Sequence, residues 1–193
     1  MTDKNVSIMN IGSMGYLPQV FKKIENEKKL NIVYLGGSIT MGCNATKTEL
    51  RYVDRSAKWW QTNFPDAEIS YFNAGIGATT SQFGVARVQE HVLDKQPDLV
   101  FVEFSVNDSS SPLFMETYES LVRRLLKAES VKAVVLINNL FYDTGTNAQG
   151  IHNAIGLHYD LPIVSVRNYI FPEIQLGNVC LADYTADMLH PTD

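Results

Sequence analysis

Cysteine is scarce in these 193 residues: Cys43 and Cys180 are the only two, which rules out a disulfide framework. Neither lies in a C-x-x-C or Cys/His metal-ligand spacing, so both are read as buried thiols and no metal is expected. Basic residues are few as well. Lys and Arg number 16 against 21 acidic residues, the net charge is −5, and no run of positive charge occurs. Nothing here would track a phosphate backbone or be drawn to anionic lipid, so neither nucleic acid nor membrane is an expected partner. Long apolar stretches are missing too, and the first 19 residues lack the basic start and unbroken apolar run of a secretory signal. The expectation is a cytoplasmic protein, or a secreted one if a leader has been removed. Internal repeats, low-complexity tracts and long linkers are absent, which points to one domain over 1–193.

What is present is ample apolar material, 45% of the chain, for a single core. Short β-branched and apolar runs at Asn31–Leu35, Glu68–Phe72, Asp98–Phe104, Lys132–Asn138 and Pro162–Val166 read as five buried strands. Between them, Arg51–Phe64, Ser81–Lys95, Met115–Ser130 and Gly145–Tyr159 carry apolar residues at three- and four-residue intervals, and Leu17–Lys29 reads as a leading helix. Alternating strands and helices imply right-handed crossovers and a parallel sheet covered on both faces, a three-layer α/β/α sandwich. Ligands in such folds sit beyond the carboxyl ends of the strands, so residues that follow strands carry the most information.

Four segments stand there. Gly36-Gly37-Ser38 leaves the first strand and exposes a hydroxyl, although Thr40 breaks the G-x-S-x-G elbow and Met41 breaks S-x-x-K. Asn73-Ala74-Gly75-Ile76-Gly77-Ala78 leaves the second; it lacks the third glycine of a dinucleotide loop, but a run of N–H groups at a helix start can hold an oxyanion. After the third strand, Asn107-Asp108 reads either as a turn or as a side-chain N–H₂ donor. Near the end, Asp187 and His190 are spaced so that a carboxylate can orient an imidazole toward a hydroxyl. His91, His152 and His158 fall in helical segments and read as surface or packing residues. Trp59-Trp60 reads as helix packing, with one ring a candidate sugar platform, and no acidic pair shows a glycosidase spacing.

In this order the four segments resemble the blocks of the SGNH (GDSL-like) hydrolases, from about Asn31 to His190. The resemblance implies a flavodoxin-like sandwich and a catalytic triad of Ser38, Asp187 and His190. It implies an oxyanion hole built from the N–H groups of Ser38 and Ala78 with the Asn107 side chain, Gly77 standing as the alternative to Ala78. Two positions depart from the pattern: Ala78 and Ser105 stand where the family usually has glycine. The implied activity is hydrolysis of small acyl esters, acetyl on a carbohydrate first, without a cofactor. A thioesterase or lysophospholipase, and a non-catalytic glycan- or partner-binding module, remain open alternatives. Members of the family normally continue past the histidine with a helix, whereas His190 lies three residues from Asp193. The expectation is that either the chain is a truncated domain lacking a C-terminal helix or domain, or Leu17–Lys29, a second copy or another partner covers that face, and that the terminal loop needs support.

Overall fold

The computed structural model describes residues 3–193. A short strand β1 (Ile8–Asn10) and helix α1 (Leu17–Glu27) precede the parallel strands β2 (Lys29–Gly36), β3 (Glu68–Gly75), β4 (Leu99–Glu103), β5 (Ala133–Asn138) and β6 (Ile163–Ser165). The helices that follow are α2 (Ser38–Met41), α3 (Tyr52–Asn63), α4 (Ser81–His91), α5 (Pro112–Leu126), α6 (Gln149–His158) and α7 (Val166–Gln175).

Alternation along β2 shows how the three layers arise. Val33 and Leu35 point to one face, where they meet Val88 of α4, Leu121 and Leu125 of α5 and Ile155 of α6. Ile32 and Tyr34 point to the other and meet Val20 and Ile24 of α1 with Val53 and Trp60 of α3. The leading helix thus covers the second face together with α3.

The sheet order is β1-β6-β5-β4-β2-β3. The chain goes outward from β2 to β3 and then crosses back to place β4 on the other side of β2, which makes the carboxyl end of β2 the topological switch point. Register completes the positioning: Gly36 at the end of β2 pairs with Gly75 of β3 and with Glu103 of β4. Three loops therefore leave three adjacent strands at one level.

Among the described residues the sheet has six strands rather than the expected five, and the additional one, β1, is not parallel. β1 pairs antiparallel with β6 on the edge, and three residues are too few to show a period. Helix α7 was also invisible in the sequence, because it begins directly after β6 and contains Pro172. Neither cysteine is buried: Cys43 is half-buried and Cys180 is exposed, in a segment outside the packed layers. Among the described residues no helix is long and apolar enough to cross a membrane.

Candidate active site

Ser38 opens α2, whose N-cap is Gly37. A first-turn residue has no helical carbonyl for its N–H, so that donor is free for a ligand. The helix packs so tightly on β3 that a Cβ on Gly75 would collide with the backbone nitrogen of Met41. Asn73 ties the two together: its Nδ2 donates to the Thr40 carbonyl at 2.8 Å, and its Oδ1 accepts from the Gly75 N–H at 2.9 Å. Beneath them, the buried Arg87 of α4 donates to the carbonyls of Ala74 and Gly36 at 2.7 and 3.1 Å.

The terminal loop brings the other two expected residues to Ser38. His190 Nε2 stands 2.7 Å from Ser38 Oγ, and His190 Nδ1 stands 2.7 Å from Asp187 Oδ2. Asp187 Oδ1 accepts from the backbone N–H groups of His190 and Leu189 at 2.8 and 3.1 Å. Desolvation works against ionisation of Asp187. The bonds from the His190 ring and from these two N–H groups outweigh it and hold the carboxyl well below the usual carboxylate range. The ring is thereby given a fixed anionic partner. The loop has its own support: a bridge joins Thr185 to Pro191, the Tyr142 N–H donates to the Met188 carbonyl at 2.8 Å, and the Thr46 N–H donates to Asp193 at 2.8 Å.

The N–H groups of Ser38, in its first turn, and of Ala78 make no hydrogen bond among the described residues, nor does the Asn107 side chain, whose buried Oδ1 has no partner. A Cβ on Gly37 would collide with the Asn107 side-chain oxygen, so glycine there is what admits the amide beside the nucleophile. Gly77, the alternative to Ala78, is close as well, a Cβ on it falling 3.9 Å from Ser38 Cβ.

The two departures from glycine resolve differently. Ser105 has an ordinary backbone angle and uses its hydroxyl: it donates to Glu103 Oε1 at 3.2 Å and accepts from the Asn139 N–H at 2.7 Å. Ala78 has φ +57, the left-handed region that favours glycine. We expect Ala78→Gly to stabilise the fold by about 0.5–1 kcal/mol, the relief of an alanine in that region less the entropy glycine adds to the unfolded chain. Thermal unfolding checks this, and an unchanged or lowered Tm contradicts it.

Glu103, wholly buried, was not singled out from the sequence, where it looks like one polar residue in an apolar strand. Burial pushes its pKa up to about 7, against the Ser105 hydroxyl bond, which pulls the other way. An unfolded Glu loses its proton near 4.5, whereas the folded one keeps it until about 7, so the native state binds more protons across that window. Stability must fall as pH rises through the window, by on the order of 3 kcal/mol in all. Glu103→Gln is expected to flatten that dependence, as denaturant titrations at pH 5 and pH 8 will show; an equal slope in both proteins would refute it.

The aromatic pair lies elsewhere. Trp60 is buried and Trp59 half-exposed, and both pack with Phe64. Phe64 precedes β3, whose first residue Glu68 pairs with Lys29 at the start of β2, so the cluster sits at the end of the sheet opposite Ser38. Neither indole is a sugar platform for this cleft. His91 contacts Arg87, and His158 is exposed. His152, read as a surface or packing residue, is wholly buried and bonded to Asp108.

The family model for GDSL-like lipases and acylhydrolases matches residues 34–193. The chain belongs to that family. Its structure is similar to that of a two-domain esterase (CEX) active on acetylated mannans, with a TM-score of 0.97 and 45% identity over 100% of this chain. The match spans 52% of that esterase, about half its length. Axe2, an acetylxylan esterase from Geobacillus stearothermophilus, superposes at a TM-score of 0.69 with 19% identity, over 84% of this chain and 86% of that one. LAE5, from the metagenome of Lake Arreo in Spain, also gives 0.69, at 20% identity over 84% and 87%. The last two show the shared fold alone. No curated protein sequence matched. As a GDSL-like acylhydrolase domain, the chain places its serine, its two glycine-bearing loops and its terminal Asp/His loop at one mouth of the sheet, and no group of three or more metal-ligating side chains occurs among the described residues.

Proposed function

We propose that this domain is a serine esterase that removes small acyl groups, acetyl foremost, from carbohydrate through an acyl-enzyme intermediate. The observation that carries the reading is the chain Ser38–His190–Asp187, joined by two contacts of 2.7 Å. Ser38 Oγ attacks the ester carbonyl carbon while its proton passes to His190 Nε2. The carbonyl oxygen becomes an oxyanion and accepts from the N–H groups of Ser38 and Ala78 and from Asn107 Nδ2. As the tetrahedral species collapses, the bond to the sugar oxygen breaks and His190 returns the proton to that oxygen, leaving acetyl-Ser38. Water then attacks the acetyl carbon while its proton passes to His190, and as the second tetrahedral species collapses the bond to Ser38 Oγ breaks, His190 returns the proton to that oxygen and acetate leaves. Asp187 orients the ring and balances its positive charge in both halves.

Support for acetyl and for carbohydrate comes from the 45% identical esterase, which is active on acetylated mannans. The test is acetate release from acetylated mannan and other acetylated glycans, with Ser38→Ala as control. Release by the parent and none by the variant is expected. A parent inert toward every glycan and toward p-nitrophenyl acetate overturns the reading; activity on the p-nitrophenyl ester alone removes its carbohydrate part.

A further inference from the structure

Among the described residues the Asn107 side chain makes no hydrogen bond, its buried Oδ1 lacking a partner, so its aim is set by the backbone that carries it. That backbone turns at Phe104, whose carbonyl accepts from the N–H groups of Asn107 and Asp108 at 3.0 and 2.9 Å. The next anchor is the Asp108 side chain. Its Oδ1 accepts from the N–H of Ser81, the first residue of α4, at 2.9 Å. Thr80, the N-cap of α4, provides no side-chain cap, so Asp108 supplies from another segment the acceptor and negative charge that a helix start favours. Ser81 directly follows the loop that bears Ala78. One carboxylate therefore joins the segment holding the Ala78 N–H to the segment holding Asn107.

The second oxygen of Asp108 is held from below. His152 Nε2 lies 3.0 Å from Asp108 Oδ2, with both side chains wholly buried. The ring stacks on Tyr118 of α5 with centroids 3.6 Å apart, and among the described residues its Nδ1 has no partner, which assigns the proton to Nε2 as donor to the carboxylate. Asp108 thus links the Asn107 turn, the start of α4 and α6, and through the stacked ring α5.

We propose that Asp108, held by His152, is a positioning residue that keeps the Ala78 and Asn107 donors in one frame for the developing oxyanion. The inference rests on the esterase reading above. Removing the imidazole leaves a buried carboxylate oxygen unpaired and frees the turn to move, and donors aimed at a transition state lose their effect with small displacements.

The experiment is a double-mutant cycle on p-nitrophenyl acetate hydrolysis. His152→Ala is expected to lower kcat about 10–100-fold with KM within about twofold, since the donors act only as charge develops. His152→Gln, whose side-chain N–H₂ reaches the same position, should recover kcat to within about threefold of the parent. In an Asn107→Ala background the cost of His152→Ala should shrink at least threefold, because part of what it positions is already gone. If His152→Ala does not fold, Asp108→Asn takes its place in the same cycle. Unchanged kcat in the single variant, or the same fold-loss with and without Asn107, overturns the proposal. A parent without Ser38-dependent activity would instead defeat the esterase reading, and the two failures are told apart by the Ser38→Ala control.

Discussion

Ser38→Ala lowers kcat by on the order of 10³-fold or more, and His190→Ala does the same, because nucleophile and base act as one unit. The geometry makes the coupling explicit: the hydroxyl and Nε2 share one contact of 2.7 Å, so removing either end leaves the other without its function. The double variant should accordingly cost little more than either single one. Ser38→Ala removes one oxygen from a nearly buried site and leaves the N–H of residue 38 in place as an oxyanion donor. Initial rates on p-nitrophenyl acetate, with circular dichroism to show an intact fold, decide the matter. Activity within tenfold of the parent in either variant removes the triad assignment.

Asn107→Ala comes next in size. Its side chain makes no hydrogen bond among the described residues, and the missing side chain of Gly37 admits its buried Oδ1 next to the nucleophile's helix, so in the esterase reading its N–H₂ is a donor free for the substrate. Such a donor gains its partner only when the carbonyl oxygen becomes charged, so its loss raises the barrier and leaves ground-state binding alone. The expected cost is roughly 10²–10³ in kcat, about 3–4 kcal/mol, with KM little changed. Steady-state kinetics over a range of substrate concentrations separates the two parameters. A change confined to KM would make Asn107 a substrate-binding residue and favour a glycan-binding module over an esterase.

Most of the sheet was legible because its inner strands β2, β4 and β5 are buried on both faces, whereas β3, expected to be buried, is an edge strand whose residues are mostly exposed or half-buried. Runs such as Leu99–Glu103 and Ala133–Asn138 must be apolar on consecutive residues, and the helices between them must keep an apolar stripe. β1 escaped because it is three residues long and on the edge, and α7 because Pro172 interrupts the helical pattern. The motif residues at the site were legible for a related reason: loops that leave adjacent parallel strands must meet at the carboxyl end. The buried polar residues beneath them were not. Asp108 and His152 are 44 residues apart, and Arg87 reaches Gly36 across 51, so no local period marks their pairing.

The alternation of the five parallel strands with the helices between them, the layer architecture and the residue types brought to the mouth of the sheet follow from the sequence alone, since hydrophobic periodicity and the position of a residue relative to its strand are local properties. Tertiary structure alone decided the rest. It aligned Gly36, Gly75 and Glu103 at one level, turned Ala78 to φ +57, gave Ser105 a partner in Glu103 and brought His152 under the Asn107 turn. Each of these depends on the distance between elements remote in the chain, and that distance is set by packing across the layers, which no single segment encodes.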